Sequence, residues 1–227
     1  MATPHHPGSF ELRRPARYLL SEGESPRFRV VALHGYGMNA AEMLDLSRQL
    51  LGPEPDLAAL EAPNTFNLGK DPRSNTFGYN WGTRGTTEFH IGVHHQMIDG
   101  ILRELRWAAQ DVLLLGYSQA VGLNYRYVAS HPGRVRAAIA LCGGIPANWD
   151  QGEPEPLATP LLHIARSEDE FFPAADIATF EDRLRRRAAD VEFHLLPGRH
   201  RFPLTAAALV QGWLRRVFQL PEPSSAA

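Results

Sequence analysis

The chain has 227 residues, 44% of them hydrophobic and 21% charged, with one cysteine and a formal net charge of −2. A single cysteine excludes an intramolecular disulfide framework and a Cys-based zinc cluster, and the near-neutral charge argues against a dedicated nucleic-acid binder. The ordinary apolar fraction excludes a wholly disordered chain, and the length suits one α/β domain.

The N-terminal stretch MATPHHPGSFELRRPARYLL lacks the apolar core of about 7–15 residues that a signal peptide needs. No run reaches the ~18 apolar residues of a membrane span. The expectation is a cytoplasmic protein without integral membrane association, with residues 1–15 as a loose tail, one domain over 16–219, and a polar tail over 220–227. Residues 28–33 (FRVVAL) read as a buried strand ending in the turn HGYG, and 39–51 carries apolar Met43, Leu44, Leu46, Leu50 and Leu51 at helical spacing. Residues 56–61 are a weaker strand candidate. The stretch 63–87 has neither periodicity but holds Phe77, Tyr79 and Trp81, so it is either a loop anchored on the core or a substrate-facing surface. His90, His94 and His95 fall in a helical pattern; the glutamate of a zinc-protease motif and a third ligand are missing, and no metal site is expected.

Residues 112–115 are a short apolar strand, followed by a helical pattern over 119–130 that His131-Pro132-Gly133 stops. Further strands are read at 137–142, 161–165 and 191–196, and helices at 176–189 and 204–218. Arginines 183, 185, 186 and 187 have acidic neighbours and read as a solvated helix face rather than an anion patch. Apolar strands alternating with amphipathic helices predict an α/β fold, a mostly parallel sheet covered on both faces. Such sheets place their chemistry at the carboxyl ends of the strands.

Gly116-Tyr117-Ser118-Gln119-Ala120 follows one of those strands and opens a helix. A serine at a tight strand-to-helix turn needs small flanking residues, which Gly116 and Ala120 supply. The turn presents the hydroxyl beside a helix N-terminus, whose dipole favours developing negative charge. A serine hydroxyl needs a base. Of ten histidines, His200 alone lies in a loop after the last strand, at the same sheet edge as Ser118. The base needs a carboxylate to fix its tautomer; Asp169 follows the strand at 161–165, with Glu168 and Glu170 as rivals by proximity. The order Ser118, Asp169, His200 is that of the α/β-hydrolase arrangement. An oxyanion needs backbone donors, and the candidates are the N–H groups of Gln119 and of Tyr36 in HGYG.

With LHGYG, GYSQA, LCGGIP, the DEFFP turn and VEFHLLPGRH in place, the sequence resembles the α/β-hydrolase superfamily, and within it the phospholipase/carboxylesterase group of small serine esterases. The resemblance runs from about residue 28 to residue 218. It implies a Ser-His-Asp triad on Ser118, His200 and Asp169, an acyl-enzyme mechanism, a small-molecule ester substrate and no cofactor. Tyr117, Tyr79, Trp81 and Phe171 are the candidate substrate-contacting residues, Trp81 by its likeness to the group's loop beside the acyl site. The chain departs from the group at Ala120, commonly a second glycine, at Ala165-Arg166, commonly a His-Gly or similar pair, and at Cys142, commonly a serine. Thioesters, lysophospholipids and short acyl esters all fit. A dienelactone-hydrolase-like or peptidase activity on the same residues, and a non-catalytic ligand-binding hydrolase fold, remain as alternatives; a homodimer is compatible with the sequence. Only residues 143–160 separate two core strands, which leaves no room for a large cap domain and predicts an open site suited to small or extended esters.

Overall fold

The computed structural model describes residues 14–69, 71, 73, 75–82, 87–152 and 155–221. The expected tails therefore lie mostly outside the described residues, as do Lys70 and parts of the 63–87 stretch. In chain order the strands are β1 (Arg17–Ser21), β2 (Arg29–Leu33), β3 (Asp56–Glu61), β4 (Asn64–Asn67), β5 (Phe77–Asn80), β6 (Val112–Tyr117), β7 (Ala137–Leu141), β8 (Leu161–Arg166) and β9 (Val191–Leu196). The helices are α1 (Ala40–Leu51), α2 (Thr87–Glu104), α3 (Gln119–Ser130), α4 (Ala174–Ile177), α5 (Phe180–Arg185) and α6 (Ala207–Phe218).

Seven strands form one sheet in the order β1-β3-β2-β6-β7-β8-β9, parallel except for β1. The central strands are mostly apolar because both faces are covered, with Arg29, His163 and Arg166 as the exceptions. Val30, Ala32, Leu113, Leu115, Ile139 and Ile164 pack beneath α1 and α6, against Met43, Leu50, Val210 and Trp213. Val31, Leu33, Leu114, Ala138 and Ala140 face the other way, toward Ile98 and Ile101 of α2 and Val121 and Tyr125 of α3. Fully burying one such side chain contributes roughly 1.5–3 kcal/mol. The expected α/β architecture is present, and no large cap domain interrupts it among the described residues. No helix among them is long and apolar enough to cross a membrane.

Three local expectations change. The strand β1 pairs antiparallel with β3, Tyr18 opposite Leu60, where the sequence reading recognised no element. The 63–87 stretch contains a hairpin, β4 with β5, in register Asn64 to Asn80. The helical pattern at 176–189 breaks into α4 and α5, with Ala178 and Thr179 between them. The start of α1 follows local chemistry: Asn39 accepts from the Glu42 N–H while the Glu42 carboxylate accepts from the Asn39 N–H, a capping box.

Three histidines are built into the core. His34 is 0% exposed, His94 1% and His163 0%. Burial lowers them from 6.5 to about 4, about 3 and about 3 respectively. Each is neutral in the folded chain but takes up a proton below pH 6.5 once unfolded. Their contribution is thus complete above pH 6.5 and is lost as pH falls through the 6.5-to-3 window. The slope is at most about 1.4 kcal/mol per pH unit for each histidine. The midpoint of thermal unfolding is expected to drop steadily from pH 6.5 to pH 4.5; a constant midpoint over that range would overturn this account.

Candidate active site

Because β2, β6, β8 and β9 are parallel, the segments after them emerge at one edge of the sheet. The strand order reverses direction between β2 and β6, which opens a crevice there. Ser118 follows β6 in that crevice, with φ 53° and ψ −111°, a conformation that L-residues rarely adopt. Ladder bonds hold it in place: Ser118 N–H donates to Leu141 O at 2.8 Å, and Cys142 N–H donates to Ile164 O at 2.8 Å. The Ala120 methyl is accommodated, fully buried in the core beside Val121.

The Ser118 hydroxyl donates to His200 Nε2 at 2.8 Å. His200 Nδ1–H donates to Asp169 Oδ2 at 2.7 Å. The second Asp169 oxygen accepts the N–H groups of Phe171 and Phe172, at 2.9 and 3.1 Å. The Asp169 side chain is 1% exposed and that of His200 9%. One carboxylate, held by two backbone donors, thus fixes the imidazole tautomer that leaves Nε2 free to accept. The rivals stand elsewhere. Glu170 accepts the His200 backbone N–H at 2.8 Å and pairs with Arg199 at 3.0 Å. Glu168 is exposed and donates its N–H to Gly198 O. The His200 ring is flanked by Tyr117, Phe171 and Phe172, with ring centres 5.6, 4.8 and 5.9 Å away.

Among the described residues, neither the Tyr36 N–H nor the Gln119 N–H has a hydrogen-bond partner. Gln119 is the first residue of α3, where N–H groups have no intrahelical acceptor. The HGYG turn comes close to Ser118 because position 35 is glycine. A Cβ there would lie 2.9 Å from the Tyr117 ring and 3.2 Å from Ser118 Cβ.

Two side chains that the sequence reading had not used for this purpose hold the turn. His34 Nδ1–H donates to Gly35 O at 2.7 Å, and its Nε2 accepts from Ala62 N–H at 3.0 Å. The second bond needs a neutral ring, in keeping with the lowering of His34 to about 4 by burial. The Gln119 side chain accepts from Trp81 N–H at 3.0 Å and donates to Gly82 O at 2.9 Å, tying the serine turn to the end of β5. Trp81 is 1% exposed and its indole N–H donates to His34 O at 2.8 Å, so this side chain supports the turn from beneath and presents almost no surface to a ligand. Tyr79 is half-buried beside it, Tyr117 is 8% exposed, and Phe171 stands open at 71%.

Cys142 is 1% exposed, donates to Arg201 O at 3.3 Å, and is pushed up to about 12 by burial, the properties of a packed thiol rather than a reactive one. His94 Nε2 bonds Asn124 Oδ1 at 3.1 Å, and His95 packs edge-on against Tyr127 and His131. Among the described residues, no group of three or more His, Cys, Asp or Glu side chains could hold a metal ion.

The turn depends on tight packing behind it. A Cβ on Gly143 would sit 2.3 Å from Val121 Cβ and 2.7 Å from Ser118 O. Gly143→Ala is therefore expected to cost about 1–3 kcal/mol, a drop of roughly 2–4 °C in melting temperature per kcal/mol. An unchanged melting temperature would show that the turn yields freely.

No family model matches the chain, and no curated protein matches it in sequence. Solved structures do. The esterase PE8 is similar at 20% identity with a TM-score of 0.73, over 89% of this chain and 99% of its own. A carboxylesterase from Mesorhizobium loti is similar at 23% identity and a TM-score of 0.69, over 88% and 94% of the two chains. A phospholipase/carboxylesterase from Dyadobacter fermentans is similar at 20% identity and a TM-score of 0.64, over 89% and 97%. At these identities the likeness is one of fold, and the fold is the α/β-hydrolase fold that the sequence resemblance implies.

Proposed function

We propose that the protein is a serine hydrolase of carboxylic esters that works through an acyl-enzyme on Ser118. The observation that carries this reading is the hydrogen-bonded chain from Ser118 Oγ through His200 to the buried carboxylate of Asp169. His200 takes the Ser118 proton as the oxygen attacks the ester carbonyl, and Asp169 stabilises the imidazolium that forms. The Tyr36 and Gln119 N–H groups, both without another acceptor among the described residues, receive the oxyanion. His200 then protonates the departing alcohol, water enters, and the same steps in reverse release the acid. Removing such an oxyanion donor from related chemistry costs about 10²–10³ in rate.

The fold shared with carboxylesterases and a phospholipase/carboxylesterase supports the choice of esters. Phe171, exposed beside His200, and Phe172, which lines the space beside Ser118, are the aromatic residues best placed to meet substrate; Tyr117 packs against the His200 ring, Tyr79 borders the HGYG turn and Trp81 contributes from beneath it. Thioesters and lysophospholipids would undergo the same chemistry. The test is active-site labelling with a fluorophosphonate probe, together with p-nitrophenyl esters of graded chain length. The expected result is one adduct, on Ser118, and ester turnover abolished by it. Labelling elsewhere, or turnover surviving full labelling, would overturn the reading.

A further inference from the structure

A groove leads away from Ser118 along α3. Gln119, Gly122, Leu123 and Arg126 line it at the spacing of one helical face, with Pro146 on the opposite wall, around a volume of about 290 Å³. Arg126 and Pro146 also wall a second cavity of about 260 Å³, which ends at Asn148, Trp149 and Arg187. The path from Ser118 to Arg126 spans eight residues of helix rise, about 12 Å. Leu123, Ile145 and Phe172 make its near part apolar.

Among the described residues, no carboxylate pairs with either Arg126 or Arg187. Arg126 Nη1 donates to Asn148 Oδ1 at 3.0 Å and forms no ion pair among the described residues. Arg187 Nη1 donates to Trp149 O at 3.0 Å, its guanidinium lies 4.8 Å from the Trp149 ring centre, and its buried Nε has no partner among the described residues. The other three arginines of the 183–187 run are paired. Arg183 and Arg186 both bond Asp150, at 2.9 and 3.0 Å, and Arg185 bonds Glu181 at 2.8 Å. Asp150 on this wall is thus already neutralised, and among the described residues Arg126 and Arg187 leave the groove positively charged at this end. Partly buried guanidinium groups with unused donors favour a carboxylate or phosphate, which they can hold through two parallel bonds.

We infer that the groove selects esters bearing a carboxylate or phosphate at the end of an apolar chain, roughly eight to ten bonds from the scissile carbonyl, with Arg126 as the specificity-determining residue and Arg187 as its support. This rests on the ester-hydrolase reading. The experiment compares kcat/KM for the mono-p-nitrophenyl ester of sebacic acid with that for its neutral methyl-capped counterpart. A second pair carries a terminal phosphate in place of the carboxylate, and a third places the carboxylate on the alcohol side, to identify the charge and the half of the ester that occupies the groove.

The anionic member of at least one pair is expected to win by about tenfold or more at low salt. That preference is expected to shrink in Arg126→Lys, vanish in Arg126→Gln and reverse in Arg126→Glu. Using the ratio within each protein removes any loss of folded material. A ratio near one for every pair in the unaltered protein, or a preference that survives Arg126→Gln, overturns the inference while leaving the ester-hydrolase reading intact. Absence of both ester turnover and fluorophosphonate labelling overturns the two together.

Discussion

Replacing Ser118 by alanine is expected to lower kcat for p-nitrophenyl acetate by about a million-fold, to the level of the oxyanion donors and binding alone. The size follows from the loss of the covalent step itself. His200 Nε2, now 2.8 Å from a hydroxyl, would face only water, and a water molecule is neither positioned nor held at the helix N-terminus as the serine oxygen is. The fold is expected to survive. The backbone bond from position 118 to Leu141 O does not involve the side chain, and alanine bears the φ of 53° at a cost similar to that of serine. Circular dichroism and the melting temperature should therefore match those of the unaltered protein while steady-state turnover disappears. A variant that retains activity within tenfold would remove Ser118 as nucleophile, whatever its neighbours do.

Asp169→Asn is the second large effect, with kcat expected to fall about ten-thousandfold near neutral pH. The carboxylate accepts three hydrogen bonds, two from the N–H groups of Phe171 and Phe172 and one from His200 Nδ1–H. An asparagine that keeps its oxygen on the two backbone donors must turn its NH₂ toward His200. The imidazole would then take the other tautomer, with a proton on Nε2 facing Ser118, and could no longer accept the serine proton. Shape is preserved while the proton sits on the wrong nitrogen, so KM should change far less than kcat. Glu170→Gln supplies the contrast. Its carboxylate bonds the His200 backbone and Arg199 rather than the ring, and a loss within about tenfold is expected, on the scale of one peripheral hydrogen bond. If Asp169→Asn retained near-normal kcat and Glu170→Gln did not, the acid would have to be reassigned.

The central strands were readable because both sheet faces are covered, so stretches such as Val30–Leu33 and Val112–Leu115 are apolar at every position. The edge strand β1 was not, because it pairs on one side only and its RYLLS side chains are largely exposed. The β4–β5 hairpin carries no period because it buries no continuous face. It is held instead by single bonds, Gly37 N–H to Tyr79 O and Tyr79 N–H to Met38 O. The aromatic cluster there drew attention to Trp81 as a ligand contact, yet its polar edge is satisfied by His34 O inside the protein. Nothing in the local sequence separates a buried indole from an exposed one when both stand beside glycine and asparagine.

For the site, local sequence is enough to say which residue types stand at the carboxyl ends of parallel strands, and in what order, since short-range turn chemistry and strand periodicity are local properties. It singled out Ser118 and His200 by their place after apolar strands. It put Asp169 forward with Glu168 and Glu170 as rivals by proximity, because three adjacent carboxylates differ only in direction, and direction is decided by the turn after β8 packing against the loop after β9. That His34 braces the HGYG turn and Gln119 the serine turn is fixed only when distant segments meet. The fold also sets Arg126 beside Pro146 and Asn148 and leaves it, among the described residues, without a carboxylate while Arg183, Arg185 and Arg186 are paired. Pairing and burial depend on which segments meet in space, and no local pattern encodes where residue 126 lies relative to residues 148, 150 and 187.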